Sequence, residues 1–459
     1  MMSNDASEGG LLGKARRIWE SALAAADAET LTASALVRRR AKLIVGDRRF
    51  DLRRFRRVFL CAFGKAAPAM AQGAMSVLGD RVAEGIVVGP PFMTPGAEKL
   101  RFLPAAHPLP DERSIRAAEA ILELARGAGA DDLLVVLISG GGSAQAALPI
   151  QGVALEEKRS LTDALLRAGA GIYELNAVRR RLSAFKGGKL ARTAFPASVL
   201  GLILSDVVGN DLSVIASGPT VPAAAAPGEA KNVLMKYGLW GEAPESVRHA
   251  LEEGDAARSG GPDPDPGFDR VVNVIVGDNG AALAAAKKEA ERHGFRVFVL
   301  TASDHGEARE AARRYAALLE ILSVQRGIGR PLCLIAGGEL TVTVRGPGRG
   351  GRNQEFVLAS LVEMGRRFRS GGEWLIASLG TDGIDGTTDA AGAWAGPEVA
   401  ERAAALSLDA VAFLEANDSH GFFERTGGLV VTGPTRTNVM DLRLLLYAPP
   451  KRLASRRGY

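Results

Sequence analysis

Aromatic side chains are scarce in this chain: they make up 5% of its 459 residues, whereas apolar residues as a whole make up 47%. The core must therefore be built mainly from Ala, Leu and Val, which is typical of α/β layers. No apolar run approaches the roughly 18 residues that cross a bilayer, and the N-terminus lacks a secretory signal pattern. We therefore expect a soluble, cytoplasmic protein with no membrane partner and, at this length, two or three domains.

Cysteine and histidine are rare as well. Cys61 and Cys333 lie in separate strand-like apolar runs and not in a C-x-x-C pair, which favours two reduced core thiols over a disulfide. The five histidines have no ligand spacing, which argues against a zinc site. The net charge is +5, but the basic runs have almost no aromatic neighbours. An anionic small substrate accounts for this charge at least as well as nucleic acid does, and we expect no nucleic-acid partner.

Apolar runs of strand length, such as RVFLCAF, DLLVVLI and SVLGLIL, alternate with Ala-rich amphipathic segments. Such a pattern indicates parallel sheets covered by helices on both faces. A Gly/Pro/Asp-rich stretch marks a linker at residues 256–269. We predict an α/β protein of two domains: a larger N-terminal one (1–255) with a Rossmann-like parallel sheet, and a smaller C-terminal α/β domain (270–459).

Polar, glycine-rich loops follow several of these strands, where open α/β sheets bind ligands. Lys65 comes directly after RVFLCAF and opens a helix, so it could reach an anion at that helix N-terminus, although a surface lysine is an equal alternative. DLLVVLI is followed by a loop with three consecutive glycines, more than a tight turn requires. Backbone N–H groups there can converge on an anion. We assign substrate or phosphate binding to Ser139, Gly140, Gly141, Gly142 and Ser143.

Aspartates follow two other strands. Asp206, in a loop that also holds Asn210, could hold Mg²⁺, accept a hydroxyl proton or cap a turn. Asp382, Asp385 and Asp389 lie within eight residues and repel one another unless they are solvated or bound to a cation. We favour a hard-cation or polyol site there, with a solvated turn as the alternative.

A basic segment spans residues 176–189 and contains three consecutive arginines, Arg179, Arg180 and Arg181. Three consecutive residues cannot share one face of a helix, so at least one of them points elsewhere. The segment is either a solvated charged face or an anion contact.

Gly346, Gly348 and Gly351 are spaced as G-x-G-x-x-G, the spacing of a dinucleotide-binding loop. The preceding run, LTVTVR, alternates apolar with polar residues, which predicts a half-exposed strand and not the buried parallel strand of that motif. The loop also carries Arg349 and Arg352, which suit bidentate contact with carboxylate or phosphate. We therefore interpret it as an arginine-bearing anion loop. The sequence has no P-loop, nucleophile elbow or protein-kinase signature.

Taken in order, the motifs SGGGSA, NAVRRRLSAFKGGKLA, LSDVVGNDLSVIASGPT, GGELTVTVRGPGRGGRNQEFVLA, GTDGIDGTTDAAGA and TGPTRTNVMDL resemble the glycerate 2-kinase family, from about residue 10 to 447. This family has a MOFRL-type C-terminal domain, which corresponds here to about 330–447, and some members carry the older label hydroxypyruvate reductase. The resemblance implies ATP-dependent phosphorylation of D-glycerate to 2-phosphoglycerate, with Mg²⁺, in a cleft between two α/β domains of a monomer or homodimer.

The resemblance also implies roles for residues. It puts the catalytic lysine at Lys65 and the catalytic arginine at Arg352, with Arg349 as the other possibility. Asp206 or Asp382 would hold Mg²⁺ or orient the attacking hydroxyl, and Asp206 is our third catalytic assignment. To substrate or phosphate binding we add Asn210, Arg349, Asn353 and Asp385.

Three residues depart from the family pattern: Arg181 replaces a frequent His, Arg436 a small residue and Met440 a polar one. Two other functions stay open. One is an NAD(P)H-dependent reductase of hydroxypyruvate or tartronate, and the other is a non-catalytic protein that binds sugar acids.

Overall fold

The computed structural model describes residues 10–90, 98–222, 228–256, 267–325, 330–368 and 371–450. The chain forms two compact units. We call Ala28–Gly277 the parallel unit, and Met1–Asp27 with Asp278–Tyr459 the mixed unit, after their sheets.

The strands, in chain order, are β1 (Val37–Arg39), β2 (Lys42–Val45), β3 (Arg48–Asp51), β4 (Arg57–Phe63), β5 (Val82–Gly89), β6 (Leu100–Pro104), β7 (Asp132–Ile138), β8 (Ser198–Leu204), β9 (Val271–Gly277), β10 (Arg296–Asp304), β11 (Leu332–Gly338), β12 (Glu373–Gly380), β13 (Gly392–Ala395), β14 (Leu429–Val430) and β15 (Asp441–Ala448).

The α-helices are α1 (Leu11–Ala25), α2 (Ala28–Ala35), α3 (Ala67–Leu78), α4 (Glu112–Arg126), α5 (Gly142–Gln145), α6 (Leu155–Arg167), α7 (Ile172–Arg181), α8 (Lys189–Ala194), α9 (Glu229–Lys236), α10 (Glu245–Ala256), α11 (Asn279–Arg292), α12 (Ala308–Val324), α13 (Arg352–Arg367), α14 (Pro397–Ala405), α15 (Ala410–Glu415) and α16 (Ser419–Thr426).

The parallel unit is built on a six-stranded sheet in the order β6-β5-β4-β7-β8-β9, in which every neighbouring pair is parallel. Counted from β4, this is the order 3-2-1-4-5-6 of the Rossmann fold. The continuous apolar runs predicted as buried strands form β4, β7 and β8 at its centre, where both sheet faces are covered. A small antiparallel sheet, β1-β2-β3, precedes it.

Helices cover both faces of this sheet. On one face, alternate residues of β4 and β7 pack against α4 and α8 in a single apolar cluster. On the other face, α3 contacts β4, β5 and β7, and α2 contacts β9. Helix α4 forms where the sequence repeats apolar residues at helical spacing, and Asp111 caps it by accepting a hydrogen bond from the backbone N–H of Arg113 at 2.9 Å.

Four further helices of the parallel unit, α6, α7, α9 and α10, share a second apolar cluster of their own. It includes Leu161 and Leu165 of α6, Val178 of α7 and Leu234 of α9. This helical cluster matters for function because it carries the basic segment of residues 176–189 and positions helix α6 beside it.

The mixed unit has a six-stranded sheet in the order β10-β11-β15-β12-β13-β14. Only β10 and β11 are parallel, and the other four pairs are antiparallel. The predicted fold class, α/β with a larger Rossmann-like parallel sheet and a smaller second α/β domain, is confirmed. The predicted strand LTVTVR is wrong: Thr341 forms an isolated bridge with Glu307, and the run has no strand partner along its length.

The bounds of the two compact units differ from the predicted domain bounds of 1–255 and 270–459. The division into domains at those residues stays a prediction. Helix α1 packs on α11 and belongs to the mixed unit, while β9 completes the parallel sheet. Most of the predicted linker 256–269 lies outside the described residues. Cys61 and Cys333 are both buried free thiols, as predicted. Among the described helices, we find none long and apolar enough to cross a membrane.

Candidate active site

The strand order brings two of the predicted loops together. Strands β4 and β7 are neighbours at the point where the strand order reverses, which is where open α/β sheets bind ligands. The loop after β4 carries Lys65, and the loop after β7 carries Ser139 to Ser143. The backbone N–H of Lys65 donates to the carbonyl of Gly140 at 2.8 Å, and that of Ala66 donates to Oγ of Ser139 at 3.0 Å. These bonds hold the two loops as one structure.

Two glycines allow this close approach. Gly64 has φ +123°, and a Cβ there would lie 2.2 Å from Oγ of Ser139. Gly141 has φ +81°, and a Cβ there would lie 2.8 Å from Cδ2 of His107 and 3.2 Å from Cγ of Lys65. Only glycine combines this backbone with so little space. The side chains of Lys65 and His107 therefore flank Gly141.

A chain of polar side chains extends from the glycine-rich loop into the basic segment. The hydroxyls of Ser143 and Ser217 are 2.7 Å apart, and Ser217 donates to Oδ1 of Asn176 at 2.9 Å. Nδ2 of Asn176 is buried without a hydrogen-bond partner among the described residues. A buried amide with a free donor is suited to an acceptor supplied by a ligand.

A pocket of about 360 Å³ adjoins this loop within the parallel unit. Four cationic side chains line it: Lys158, Arg159, Arg179 and Lys186. Its other lining residues include His107, Gly141, Ser143 and several leucines and prolines. The basic segment therefore contributes at least Arg179 and Lys186 to a concave site, which favours the anion-contact interpretation of that segment.

Two of these lysines are buried cations. Nζ of Lys186 donates to the carbonyls of Ser143 at 2.7 Å and Ala146 at 3.0 Å, so it holds the glycine-rich turn. Burial, with the nearby Arg179, lowers the pKa of Lys186 to about 7. Burial lowers the pKa of Lys158 well below its usual value, and Lys186, Lys189 and Arg179 lower it further.

Lys158 and His107 were missed by the sequence analysis. Lys158 is 7% exposed and lies on the same face of α6 as the buried Leu161 and Leu165. The signal was present in the sequence: a lysine at a core position of an amphipathic helix is uncommon unless it is paired or functional. His107 offers no comparable signal, because a single histidine in a Pro-rich loop has no spacing to interpret.

Asp206 and Asn210 follow β8, which pairs with β7, so they lie at the same edge of the sheet as Lys65 and the glycine-rich loop. Both side chains are half-buried. Eight of the predicted site residues, Asn210 included, thus belong to one sheet edge of the parallel unit. The remaining predictions, Arg349, Arg352, Asn353, Asp382 and Asp385, belong to the mixed unit.

Arg352 is the first residue of α13, and its guanidinium group is already paired. Nε and Nη2 donate to the two oxygens of Asp441 at 2.7 and 2.9 Å, and Nη1 is 2.9 Å from Glu339. Burial alone would lower the pKa of Arg352, but the Asp441 carboxylate outweighs it and the pKa is raised. The bidentate grip predicted for a substrate is therefore made with Asp441, which is completely buried.

A second arginine faces the same carboxylate. Arg443 is completely buried, and its Nη1 lies 3.7 Å from Asp441 while its Nη2 lies 3.7 Å from Asp304. Burial lowers the pKa of Arg443. Asp441 therefore stands between Arg352 and Arg443 and fixes the position of the Arg352 guanidinium.

Asp385 is also completely buried, and its carboxylate caps α13. It accepts hydrogen bonds from the backbone and side-chain N–H groups of both Asn353 and Gln354, at 2.9 to 3.2 Å. Oδ1 of Asn353 accepts from Ser378 at 2.5 Å. Burial raises the pKa of Asp385. Asp385 and Asn353 thus contact each other and fix the start of α13. Their predicted contact with substrate stays a prediction.

The two remaining predictions lie nearer the surface. Arg349 is exposed, and its backbone N–H donates to Asp418 at 3.1 Å. Asp382 is half-buried, and its Oδ1 accepts from the backbone N–H of Ile384 at 3.1 Å. Within the described ranges, no three His, Cys, Asp or Glu side chains are grouped so that they could hold a metal ion by themselves. Of the departures from the family pattern, Met440 is buried and Arg436 is exposed.

Two family models match the chain. One, described as a domain of unknown function (DUF4147), matches residues 14–252, and the MOFRL family model matches residues 332–441. Human glycerate kinase is 41% identical over 89% of this chain and 87% of its own length. The D-glycerate 2-kinase of Thermotoga maritima is 40% identical, over 84% of this chain and 89% of its own.

Another relative, from Agrobacterium vitis, is provisionally named a hydroxypyruvate reductase and is 39% identical over 94% of this chain and 93% of its own. Among solved structures, the glycerate kinase from Thermotoga maritima has a TM-score of 0.81 and 36% identity, covering 95% of this chain and 99% of that one.

Proposed function

We propose that this protein transfers the terminal phosphoryl group of ATP to the 2-hydroxyl of D-glycerate. The premise is that the chain belongs to the glycerate kinase family with a MOFRL domain. Membership of that family and the class, a phosphotransferase with an alcohol group as acceptor, are as predicted. The 2-hydroxyl is supported by the name of the Thermotoga maritima relative, a D-glycerate 2-kinase. The reaction in a cleft between two domains, by a monomer or homodimer in the cytoplasm, remains an expectation from the resemblance.

One observation carries this proposal: Lys65 and the glycine-rich loop meet at the switch point between β4 and β7, joined by hydrogen bonds that the backbone N–H groups of Lys65 and Ala66 donate. Phosphoryl transfer needs positioned cations and backbone donors more than it needs a covalent catalyst. Lys65 is the group we assign to the charge that develops on the transferring phosphoryl. We assign Gly140 to Gly142, with Ser139 and Ser143, to the anion they would cradle.

Asp206 is assigned to orient the glycerate hydroxyl and accept its proton, or to hold Mg²⁺. The residues present fit that metal, because Mg²⁺ is usually held by one or two carboxylates together with nucleotide phosphates, and Asp206 is a half-buried carboxylate at the ligand-binding edge. Asp382 is the other carboxylate proposed for it. Mg²⁺ bound there would neutralise charge on the phosphates.

Arg352 is proposed as the second catalytic cation. Of the five N–H groups of its guanidinium, those that face Asp441 and Glu339 are used, so the remaining donors would meet the glycerate carboxylate or the phosphoryl group. Holding a guanidinium with buried carboxylates keeps it charged and fixed before the substrate arrives.

The test is a coupled ADP-release assay on the purified protein with ATP, Mg²⁺ and D-glycerate, with the product identified by NMR. We expect ADP and 2-phosphoglycerate, and no oxidation of NADH or NADPH with hydroxypyruvate in the absence of ATP. The reductase alternative predicts the reverse pattern, and a non-catalytic binding protein predicts stabilisation by glycerate without ADP.

A further inference from the structure

The pocket beside Gly141 contains a buried amino group that the protein itself does not pair. Lys158 is 7% exposed, lines the pocket, and its Nζ has no hydrogen-bond partner among the described residues. A buried unpaired ammonium group is unfavourable, so folded proteins retain one mainly where a ligand supplies the counter-charge.

The number of cations indicates how much negative charge the ligand carries. Arg179 and Lys186 line the same pocket and are close enough to Lys158 to lower its pKa. Arg159 lines the pocket as well, and it pairs with the exposed Glu156 at 3.2 Å. One carboxylate, Asp163, also lines the pocket, and it pairs with Arg167 at 2.6 Å. A glycerate carboxylate carries one charge, whereas the phosphate chain of a nucleoside triphosphate carries several. Three clustered cations therefore match the triphosphate better than the acceptor substrate.

Three leucines form an apolar part of the pocket wall. Leu109, Leu155 and Leu166 line it, and Leu109 and Leu166 are 62% and 53% exposed. Large exposed apolar side chains at a pocket mouth are suited to the face of an organic ring system. Glycerate has no such group, and a nucleoside has one.

We propose that this pocket, the Lys158 pocket, binds the nucleoside triphosphate, with its phosphate chain on Lys158 and Arg179 and its nucleoside against Leu109 and Leu166. Lys186 is occupied by the carbonyls of Ser143 and Ala146 and acts as a positioning residue for the loop. The inference rests on the proposed function only in identifying the nucleotide as the phosphoryl donor.

The test measures binding without turnover. Isothermal titration calorimetry with a non-hydrolysable ATP analogue, with inorganic tripolyphosphate and with D-glycerate is applied to wild type and to Lys158→Met, which keeps the length of the side chain and removes its charge. The same substitution at an exposed lysine of α11, Lys288→Met, is the matched control.

We expect Lys158→Met to lower the affinity for the ATP analogue and for tripolyphosphate by about tenfold or more, because a charge-assisted contact is lost. The affinity for D-glycerate should not change. The melting temperature of Lys158→Met should stay the same or rise, because a buried polar group without a hydrogen-bond partner is removed. Lys288→Met should match wild type. Leu166→Ala should weaken the ATP analogue but not tripolyphosphate, which separates the nucleoside wall from the phosphate site.

Unchanged affinity of Lys158→Met for both phosphate probes overturns the inference. A loss of affinity confined to D-glycerate also overturns it, because the pocket would then bind the acceptor substrate. Should Lys158→Met fail to fold, the half-buried Arg179→Gln carries the same expectations. If wild type phosphorylates glycerate while these variants bind the analogue normally, the proposed function stands and the inference fails. If wild type phosphorylates no acceptor but the variants bind the ATP analogue more weakly, the inference stands and the proposed function fails.

Discussion

Lys65 emerges directly from a central strand, and its backbone is hydrogen-bonded to the neighbouring loop, so its side chain is set at the sheet edge and not in the core. We expect Lys65→Ala to fold with a melting temperature near that of wild type and to lose about 10²-fold or more in kcat/KM, since a cation that meets developing charge is removed. Steady-state kinetics and thermal melts measure the two quantities. Near wild-type kcat in a folded Lys65→Ala protein would remove this lysine from the mechanism.

Site residues were predictable where they directly follow a strand, because ligands bind at the carboxyl ends of the strands in open α/β sheets. Lys65, Asp206 and the glycines of the β7 loop lie at the expected sheet edge for that reason. The partners of charged residues were not predictable. Nothing in the sequence connects Arg352 with Asp441, because that pairing depends on β15 lying beside β11. Nor does the sequence show that Asp385 is a buried helix cap instead of a solvated carboxylate.

The loop that precedes α13 packs its glycines against a neighbouring segment. A Cβ on Gly348 would lie 2.6 Å from the carbonyl oxygen of Ala416 and 2.4 Å from Cβ of Asp418, and one on Gly350 would lie 2.2 Å from Oγ of Ser419. Neither glycine has a positive φ. The requirement for glycine is therefore space, and not the left-handed backbone that would be needed in a strained turn.

This geometry separates two kinds of variant in one loop. We expect Gly348→Ala to lower the melting temperature by several degrees through overpacking, while kcat/KM measured well below that temperature changes little. Arg352→Lys should lower kcat/KM by about 10²-fold at the same temperature, and should also lower stability, because a lysine cannot hold both oxygens of buried Asp441.

The exposed Arg345→Lys in the same loop is the matched control and should behave like wild type. Full glycerate turnover by Arg352→Lys would mean that the arginine is wrongly assigned, and Arg349→Lys would then be the variant to measure. Loss of NAD binding in Gly348→Ala would instead revive the dinucleotide interpretation of the loop.

Strands and helices were predictable where the sequence pattern of apolar and polar residues ran through the whole element. The uninterrupted apolar runs became the central parallel strands, and one of the Ala-rich amphipathic segments became α4. Strand β15 was missed because Asp441 and Arg443 near its start are typical of a surface loop, whereas both are completely buried. LTVTVR failed for the opposite reason: its alternation suits a strand, but the backbone N–H groups of Thr343 and Arg345 donate to the side chains of Glu307 and Asn417.

Assembly of the elements into units was the least predictable level. Helix α1 has the pattern of any amphipathic helix, and that pattern does not state which sheet it covers. Its packing on α11, far away in the sequence, places it in the mixed unit. Likewise, β9 follows the predicted linker and still joins the parallel sheet, because strand pairing is decided by neighbours in space.

The buried cations also set how the stability of the protein depends on pH. Lys186 lies close to Lys158 of α6 and Arg179 of α7, and its pKa of about 7 lies below the usual value of 10.5. Between these values the unfolded chain binds a proton that the folded chain does not, so stability rises with pH from about 7 towards 10 and is lost as pH falls to about 7. Lys158, whose pKa is lowered too, adds to the same trend.

The two buried thiols act in the opposite direction. Burial raises the pKa of Cys61 and Cys333 above their ordinary value of 9.0, so the unfolded chain loses protons near pH 9 that the folded chain keeps. Their contribution is complete below that pH and is lost above it. The gain from the lysines and the loss from the thiols offset each other between about pH 9 and 10, so the sum predicts a maximum of stability in that range, measured as the denaturation midpoint in urea at each pH.

Lys186→Met distinguishes this origin from general charge effects. It should reduce the rise between about pH 7 and 8.5 because one of the two titrating lysines is gone, whereas Lys288→Met, which removes an exposed lysine, should keep the wild-type slope. A saturating ATP analogue should also flatten the rise, since phosphates in the Lys158 pocket restore the pKa values of the lysines toward their usual range. A slope that is the same in all four samples would show that the buried lysines do not govern it, and that the pocket holds its cations without cost to the fold.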